Sequence, residues 1–377
     1  MNRMKLGEIL SVKHGWAFKG EYFAEDGEQS ILTPGNFFEK GGFKPNNGKE
    51  RYYTGTYPKE YLCHKGDLIV AMTQQAEGLL GSTALVPENN KYLHNQRIGL
   101  ITCDEKRLNK LFAYYLFMTK SVREQLERSS SGTKVKHTSP EKIYDVEVEI
   151  PDVISQQKIA NLLWSIDEKI ANNNAINDNL EQQAKLLYNY WFIQFNFPDE
   201  NGNPYHSSGG QLVWNKNLQQ EIPHDWRSGN LYDIADYING IACQKYRPSD
   251  EEHSLPVVKI REMNGGITND TERVSSTIPA KNIISSGDIL FSWSASLEVI
   301  MWYGVDAGLN QHIFKVVPKS YFSSEYVYLQ LSEYLIHFIK IAEARKTTMG
   351  HITSEHLQDS HIILPPANII KNFSEYV

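Results

Sequence analysis

The two halves of the chain repeat one another, and this duplication constrains the fold more than any other feature. Four landmarks recur in the same order: an opening apolar segment, a Gly-Asp turn, an Asn-Gln pair and a polar loop. The matching pairs are Leu6–Leu10 with Leu231–Ala235, Gly66-Asp67 with Gly287-Asp288, Asn95-Gln96 with Asn310-Gln311, and Gly132–Ser139 with Lys346–Thr353. The offset drifts only from 225 to 214 residues. Ordered repetition of this kind predicts two copies of one domain.

Each copy has the pattern of a mixed domain. The opening segment of each copy is predicted to be a strand, and Ile98–Thr102 or Ile313–Val317 is also β-prone. Gly-Asp before an apolar run is typical of a turn that leads into a buried strand. A helix is predicted over Leu108–Arg128 in the first copy and over Ser324–Ala344 in the second. A polar loop and a last apolar strand follow in both, at Val146–Pro151 and Ile362–Pro365.

Between the copies lies a segment of another kind, Ser155–Tyr190, which contains no glycine or proline. It carries a heptad seam: Ile159, Leu162, Ile166, Asn173, Ile176, Leu180 and Leu187. Thirty-six residues of helix span roughly 54 Å at about 1.5 Å per residue. We expect a coiled-coil helix that needs a partner for its apolar stripe. The alternative is a helix packed lengthwise on one domain.

The expected fold class is therefore α+β, with two similar mixed α/β domains separated by a long coiled-coil helix. The stretch after this helix is rich in glycine, proline, serine and asparagine, which is typical of a linker. The predicted divisions are 1–152 for the first domain, 153–197 for the central helix, 198–221 for the linker, 222–366 for the second domain and 367–377 for the start of another helix.

Composition narrows the class of function. The formal net charge of −7 argues against a sequence-independent nucleic-acid binder, which is usually basic. Cys63, Cys103 and Cys243 are scattered, so neither a zinc site nor a disulfide framework is indicated. The start lacks the apolar core of a signal peptide, and no apolar run is long enough to span a membrane. We expect a cytoplasmic protein.

Catalytic motifs are missing from the sequence. An adenine methyltransferase needs an Asn/Asp-Pro-Pro-aromatic loop, and Asn203-Pro204-Tyr205 lacks the second proline. Gly48-Lys49 is followed by Glu50, so it is no phosphate-binding Walker loop. The histidines show no metal-ligand spacing. We expect neither a catalytic residue nor a metal or cofactor site in this chain.

The pattern resembles the specificity subunit of type I restriction-modification enzymes. The resemblance is carried by the paired Gly-Asp and Asn-Gln landmarks and by Ser131-Gly132-Thr133 with His137 before an Ile-Pro exit. Gln156–Ala160 then opens the heptad helix, and a connector runs from Trp191-Phe192 to Ile222–Trp226. Each motif is weak alone, but their order and duplication are specific.

This resemblance implies that each globular domain is a target recognition domain that reads one half of a bipartite, asymmetric DNA site. The helices would set the unread gap and dock DNA methyltransferase subunits, two in number, and a restriction subunit can join. Adenine methylation with S-adenosylmethionine, and cleavage driven by ATP with magnesium, would belong to those partners.

One departure from the family's pattern concerns the end of the chain. The family normally carries a second conserved helix after its second recognition domain, whereas Ile369–Val377 corresponds only to the first turns of such a helix. We expect a truncated second helix. Our hypothesis is that the seam of the central helix then pairs with another chain, including by self-association.

DNA bases are usually read by Arg, Lys, Asn and Gln in loops, whereas phosphate contacts only position the protein. The candidate DNA contacts are Lys13, His14, Lys19, Asn36, Gln74, Gln75, Lys134, Lys136 and His137 in the first domain and Gln244, Lys245, Arg247, Lys259, Arg261, Ser292, Trp293, Arg345, Lys346 and His351 in the second. Each could equally be a solvated surface residue. Asn95-Gln96 and Asn310-Gln311 could be base readers too, but these pairs and the Gly-Asp pairs are shared by both copies, so we interpret them as structural.

Three other functions fit the sequence. A recognition subunit of a related type II enzyme would differ in its partners. A coiled-coil scaffold with two protein-binding domains would show no DNA affinity. A truncated, silent copy would form no stable complex with a methyltransferase.

Overall fold

The structure, a computed structural model, describes residues 2–46, 48–74, 78–132, 135–249, 253–294, 296–344 and 352–377. It contains two compact units, residues 1–174 and 175–377. One helix, α4 (Val153–Tyr188), begins in the first unit and ends in the second.

The first unit is built from ten short strands and three short helices in its described part. The strands are β1 (Asn2–Lys5), β2 (Leu10–His14), β3 (Phe23–Ala24), β4 (Ser30–Ile31), β5 (Tyr52–Tyr53), β6 (Leu68–Ala71), β7 (Thr83–Leu85), β8 (Tyr92–Leu93), β9 (Ile98–Cys103) and β10 (Glu147–Ile150). The helices before α4 are α1 (Lys110–Leu116), α2 (Lys120–Ser129) and α3 (Pro140–Tyr144).

The main sheet of this unit is antiparallel, in the order β2-β9-β6-β7. A second sheet has the order β3-β5-β4-β8 and contains the parallel pair β4–β8. Strand β6 is buried on both faces. Leu68 and Val70 pack with the helices on one side, while Ile69 and Ala71 pack with Leu32 and its neighbours on the other. The buried strand predicted after Gly66-Asp67 is confirmed.

The second unit repeats these elements around residues 227–364. Its strands are β11 (Leu212–Asn215), β12 (Gln220–Pro223), β13 (Arg227–Gly229), β14 (Ala235–Asn239), β15 (Ser254–Val258), β16 (Arg273–Ser275), β17 (Ile283–Ile284), β18 (Ile289–Ser292), β19 (Glu298–Met301), β20 (Ala307–Leu309), β21 (Ile313–Pro318) and β22 (Ile362–Leu364). Its own helices are α5 (Leu231–Ile234), α6 (Ile260–Gly265), α7 (Ser324–Ala344), α8 (Ser354–Gln358) and α9 (Ala367–Tyr376).

The main sheets of the two units have the same topology, and the second sheets share three strands, β5-β4-β8 and β16-β15-β20, with the fourth strand at opposite edges. The order β14-β21-β18-β19 matches β2-β9-β6-β7, and β16-β15-β20-β17 includes the parallel pair β15–β20 where the first unit has β4–β8. Each unit also has a separate two-stranded pair. In the first unit β1 pairs with β10, the strand before α4, and in the second β13 pairs with β22, the strand before α9. The α+β fold with two similar mixed domains is confirmed.

The opening strand predicted in each copy is wrong at its start. Leu6–Glu8 forms a 3-10 turn and α5 forms a helical turn, and the strands begin only afterwards. The physical reason is a local cap. The Glu8 carboxylate accepts a hydrogen bond from the Lys5 amide at 2.8 Å, and Asp233 accepts one from the Asn230 amide at 2.8 Å.

The helix predicted over Leu108–Arg128 is two helices, α1 and α2. Thr119 has an extended backbone, and its hydroxyl donates to the Leu116 carbonyl at 2.7 Å, so the first helix ends there and the second begins. In the second copy, α7 runs unbroken over Ser324–Ala344, as predicted.

The central helix is confirmed as a continuous helix of 36 residues, and a single wide π-type turn over Asn189–Ile193 follows it. Much of its apolar seam is exposed. The exposed fractions are 43% for Ile159, 63% for Leu162, 46% for Ile166, 56% for Ile176 and 56% for Leu180. Asn173 is exposed too, whereas Leu187 packs on the core of the second unit. Pairing of the seam with another chain stays a prediction.

The stretch predicted as a linker, 198–221, contains ordered packing. Phe197 stacks on Tyr205 with ring centroids 4.7 Å apart and on Trp226 at 5.0 Å, and β11 and β12 form a hairpin. The last segment is helical, as predicted, and Phe373 of α9 packs against Trp191 and Phe192. The domain limits assigned from the sequence remain predictions.

In the part of the chain that the structure describes, none of the helices combines the length and the apolar character that a membrane crossing requires.

Candidate nucleic-acid interface

At one end of the main sheet in the first unit, four segments come together. They follow β2, follow β6, precede β9 and precede α3. Backbone hydrogen bonds join them: the Trp16 amide donates to the His94 carbonyl at 2.8 Å, Met72 to Arg97 at 3.0 Å, and Thr138 to Met72 at 2.9 Å. We call residues 13–16, 72–74, 95–97 and 135–138 the domain 1 loop surface.

The second unit builds the same surface with the same backbone bonds. The Ile241 amide donates to the Leu309 carbonyl at 2.9 Å, Trp293 to His312 at 3.3 Å, and Ile352 to Trp293 at 3.0 Å. Residues 239–247, 293–294, 310–312 and 352 form the domain 2 loop surface. The repeated sequence thus places corresponding loops at corresponding positions.

A glycine in each copy permits this close approach of the loops. A Cβ atom on Gly15 would lie 2.1 Å from the Asn95 carbonyl oxygen, and one on Gly240 would lie 2.1 Å from the Asn310 carbonyl oxygen. Both obstacles are backbone atoms, so no side-chain movement could make room. The two loops can meet only because residue 15 and residue 240 lack a side chain.

The residues shared by both copies hold the loops in shape. The Asn95 side-chain oxygen accepts from the Arg97 amide at 3.0 Å, and Asn310 accepts from the His312 amide at 3.3 Å. Asp67 caps its turn by accepting from the His64 amide at 2.8 Å. Asp288 does the same for the Ser285 amide at 2.7 Å. These contacts support the structural role predicted for the shared Asn and Asp.

Five candidate contacts lie together on the domain 1 loop surface: Lys13, His14, Gln74, Lys136 and His137. The Lys13 ammonium is 3.1 Å from the Glu60 carboxylate and 4.4 Å from the Tyr61 ring centroid. Nδ1 of His14 is 3.4 Å from the Gln96 carbonyl oxygen, and Nδ1 of His137 is 3.1 Å from the Thr73 hydroxyl. His14 and His137 are exposed, and Gln74 is half-buried.

Lys136 forms an ion pair with Glu127 of α2. The hydrogen bond and the positive charge of Lys136 hold the pKa of Glu127 below its ordinary value. Because both groups are largely solvated, this pair contributes little to stability. The ion pair holds the partly exposed Lys136 side chain close to α2.

Two candidates of the first domain lie away from this surface. Asn36 is 2% exposed, and its side-chain oxygen accepts from the Thr33 amide at 2.8 Å while its nitrogen donates to the Lys44 carbonyl at 3.3 Å. This placement favours a turn-capping role. Lys19 is exposed and lies 4.0 Å from the Glu21 carboxylate.

In the second domain, Gln244, Lys245 and Arg247 are exposed in the loop after β14. The Trp293 ring lies 5.6 Å from the His312 ring, and its indole nitrogen donates to the Asn239 side-chain oxygen at 3.3 Å. Ser292 is fully buried, and its hydroxyl donates to the Ser296 carbonyl, which favours a structural role.

Lys259 and Arg261 are joined to carboxylates. Lys259 pairs with Glu272, and the Arg261 guanidinium lies 2.7 Å from the Glu262 carboxylate, whose side chain is almost fully buried. Both cations are therefore partly neutralised before any ligand arrives. The remaining candidates, Gln75, Lys134, Arg345, Lys346 and His351, lie outside the described residues.

The sequence reasoning missed three exposed residues on these surfaces: Trp16, Arg97 and His312. Trp16 packs edge-on against Tyr61 with ring centroids 5.4 Å apart. Arg97 and His312 directly follow the shared Asn-Gln pair, so they are corresponding positions with different side chains. A comparison of the two copies residue by residue would have singled them out.

The described residues contain no cluster of three or more histidine, cysteine, aspartate or glutamate side chains that could hold a metal ion. The three cysteines are free thiols. Burial raises the pKa of Cys63 and Cys103 to about 12 and that of Cys243 to about 11. The thiolate fraction at neutral pH is therefore very small, which makes these residues poor nucleophiles.

Comparisons with known proteins agree with the fold and the repeat. The family model for the type I restriction modification DNA specificity domain matches residues 1–182 and 223–375. The chain is 25% identical over 280 residues to the MjaIX specificity subunit of Methanocaldococcus jannaschii, covering 71% of this chain and 61% of that subunit. It is 21% identical over 378 residues to the EcoBI specificity subunit of Escherichia coli, covering 96% of this chain and 75% of that subunit.

Among solved structures, the S subunit of a type I restriction-modification system from M. genitalium superposes with a TM-score of 0.58 at 13% identity, covering 99% of this chain and 87% of that one. This likeness shows a shared fold. The family model matches both copies and so most of the chain. The chain therefore belongs to the family of type I restriction-modification DNA specificity subunits, the sequence-recognising and non-catalytic components of those systems.

Proposed function

We propose that this chain reads a bipartite, asymmetric DNA site, with one loop surface for each half. The observation that carries the proposal is that the two surfaces share their backbone hydrogen bonds but not their outer side chains. Arg97 corresponds to His312 and Trp16 to Ile241, while the buried Met72 corresponds to Trp293. Two equal scaffolds with different outer residues are suited to reading two different short sequences.

The exposed side chains have the chemistry of base readers. An arginine can donate two hydrogen bonds to guanine, and a glutamine can pair with adenine in the major groove. Gln96 and Arg97 stand next to each other on the domain 1 loop surface, and both are exposed. The domain 2 loop surface carries the exposed Gln244 and Lys245 and also contains the Trp293–His312 ring pair.

The apolar seam of α4 is the proposed docking site for methyltransferase subunits, two per complex, with a restriction subunit joining them. Leucine and isoleucine side chains that are about half exposed cost free energy in water, at about 25 cal/mol per Å² of apolar surface. A partner that covers the seam removes that cost. S-adenosylmethionine, ATP and magnesium would be bound by those partners, and the complex would act in the cytoplasm.

The experiment is co-expression of the chain with the methyltransferase subunit encoded beside it, followed by single-molecule mapping of methylated adenines in the host DNA. We expect one new motif made of two short half-sites with a fixed unread gap. A symmetric motif would mean that two copies of this chain pair and reuse one domain. A purified complex that methylates no defined motif would refute the proposal.

Two matched arginine variants sharpen this test. Arg97→Gln is expected to change the bases of one half-site and to leave the other half-site and the gap unchanged. Arg128→Gln is the control, because Arg128 lies on α2 with 77% of its side chain exposed and pairs with its helix neighbour Glu124. The control variant should methylate the wild-type motif. If Arg97→Gln does so too, the domain 1 loop surface does not read bases through Arg97.

A further inference from the structure

A groove lined by positive charges lies in the first unit beside the domain 1 loop surface. Its volume is about 900 Å³, and Phe18, Phe23 and Ile31 form its apolar part. Four cationic side chains line it: Lys44, Lys49, Arg51 and Arg97. We call these four residues and the space between them the cation groove.

The charge of this groove is opposite to that of the chain as a whole. The chain has 45 acidic and 38 basic residues, yet the described residues that line the groove include no aspartate or glutamate; Glu25 and Glu50 line an adjoining cavity with Lys49 and Arg51. Among the described residues, none of these four cations lies within 4.0 Å of a carboxylate oxygen in an ion pair. Like charges that share one cavity repel each other, and a polyanion relieves that repulsion.

In the second unit, two basic side chains that follow a buried strand are paired with carboxylates. Lys259 and Arg261, which follow the corresponding buried strand, are each held by a carboxylate, Glu272 and Glu262. These two cations of the second unit are thus paired, unlike the four that line the cation groove.

The cation groove is continuous with the loop surface. Asn95, Gln96 and Arg97 belong to both, so a long ligand that rests on the loop surface passes directly over the groove. A second cavity of about 630 Å³ shares Pro34, Gly35 and Lys44 with the first and is also lined by Lys40 and Glu39. The two cavities form a path that starts at the loops and runs past Lys44.

We propose that Lys44, Lys49 and Arg51 of the cation groove bind the phosphodiester backbone of the DNA that flanks the first half-site, beside the base-reading Arg97. This inference rests on the proposed function. Lysine is a flexible point charge that suits phosphate contacts, and such contacts position a protein without reading sequence. The same chemistry would suit the phosphates of a free nucleotide, and the experiment separates the two sources.

The test is the salt dependence of DNA binding by the complex with its methyltransferase, using a duplex that carries the methylated motif. The double variant Lys44→Gln/Arg51→Gln removes two charges without touching Arg97. Each phosphate contact contributes about 0.9 to the slope of log K against log salt. We expect the slope of the double variant to be shallower by ~1.8, with an unchanged methylation motif.

The control is Lys106→Gln/Lys110→Gln, which removes the same charge at the opposite end of strand β9, where both residues are exposed. An equal slope in the two double variants would overturn the proposal, and so would an altered motif in the groove variant. Binding of ATP to the chain that the groove variant abolishes, with no change in the DNA slope, would assign the groove to a free nucleotide instead. Failure of the proposed function is distinguishable, because the wild-type complex itself would then methylate no motif.

Discussion

Replacing Gly15 with alanine tests whether the close contact of two loops is what builds the domain 1 loop surface. The added Cβ would lie 2.1 Å from the Asn95 carbonyl oxygen and 2.5 Å from the His94 carbonyl oxygen. Real Cβ atoms essentially never come within 3.0 Å of such neighbours. The loops must therefore separate by about 1 Å or more in the variant.

That separation breaks two backbone hydrogen bonds, from the Trp16 amide to the His94 carbonyl at 2.8 Å and from the Gln96 amide to the Trp16 carbonyl at 3.1 Å. Each bond contributes about 1 kcal/mol net, and a buried group left without a partner costs about 1–3 kcal/mol. We expect the free energy of local opening to fall by roughly 2–4 kcal/mol, which is about 30-fold to 1,000-fold in amide protection.

The assay is hydrogen–deuterium exchange of peptides that cover residues 12–18 and 94–98, measured together with the methylation motif of the complex. Exchange should rise in these peptides, and the first half-site should lose definition while the second is kept. Gly20→Ala is the control, because nothing lies within 4 Å of the position of its added Cβ. Gly240→Ala should affect the second half-site only. Wild-type exchange in Gly15→Ala would refute the reasoning.

Three further predictions concern other parts of the molecule. Gln156 is fully buried, accepts from the Asn109 amide at 2.9 Å and donates to the Arg107 and Pro151 carbonyls at 3.0 and 2.9 Å. Gln156→Ala should therefore lower the free energy of unfolding by roughly 2–4 kcal/mol in urea. Gln157→Ala, at the exposed neighbouring residue, is the control. Equal urea midpoints for the two variants would contradict this prediction. Burial lowers the pKa of His94 to about 4 from 6.5, so the folded state binds fewer protons than the unfolded state between those values. The free energy of unfolding should therefore fall by about 3 kcal/mol in total as the pH drops from about 6.5 to 4. His94→Gln should remove this part of the pH dependence. Parallel curves of unfolding free energy against pH for the wild type and His94→Gln would disprove the prediction. Leu162→Gln with Leu180→Gln should weaken co-purification of the methyltransferase at least tenfold without lowering the unfolding midpoint, since both side chains are more than half exposed; undiminished co-purification would place the docking site elsewhere.

The repeat and the central helix could be predicted from the sequence because their causes are local. Asp67 and Asp288 each cap a turn of four residues, so the same Gly-Asp pair predicts the same local structure in both copies. The helix over Val153–Tyr188 follows from the absence of glycine and proline and from a heptad pattern, which needs no knowledge of distant contacts.

Other features depended on contacts that the pattern does not show. The opening segment Leu6–Leu10 has the composition of a strand, but Glu8 caps a turn there. Asn36 looks like a polar loop residue, yet packing buries it. Whether Lys259 is an available cation depends on Glu272, which is distant from it in sequence and close to it in space.

The cation groove was not predicted for a related reason. Lys44, Lys49 and Arg51 lie in a segment that none of the repeated landmarks marks, so a comparison of the two copies says nothing about it. Gly15 and Gly240 differ in this respect. Gly15 and Gly240 are 225 residues apart, the same offset as the two opening segments. An alignment of the two halves therefore pairs these glycines, at the positions where the loops approach most closely.

The backbone hydrogen bonds that join the loops bear on how easily such a protein can change. Met72–Arg97 and Trp293–His312 are linked through main-chain atoms, which every residue except proline provides. The outer side chains can therefore vary with little penalty to folding, while Gly15, Asn95 and Asp67 cannot. Libraries randomised at the exposed positions 97 and 312 should contain a large folded fraction. The exposed side chains of the loop surfaces can therefore change during evolution while the main-chain hydrogen bonds keep the fold intact.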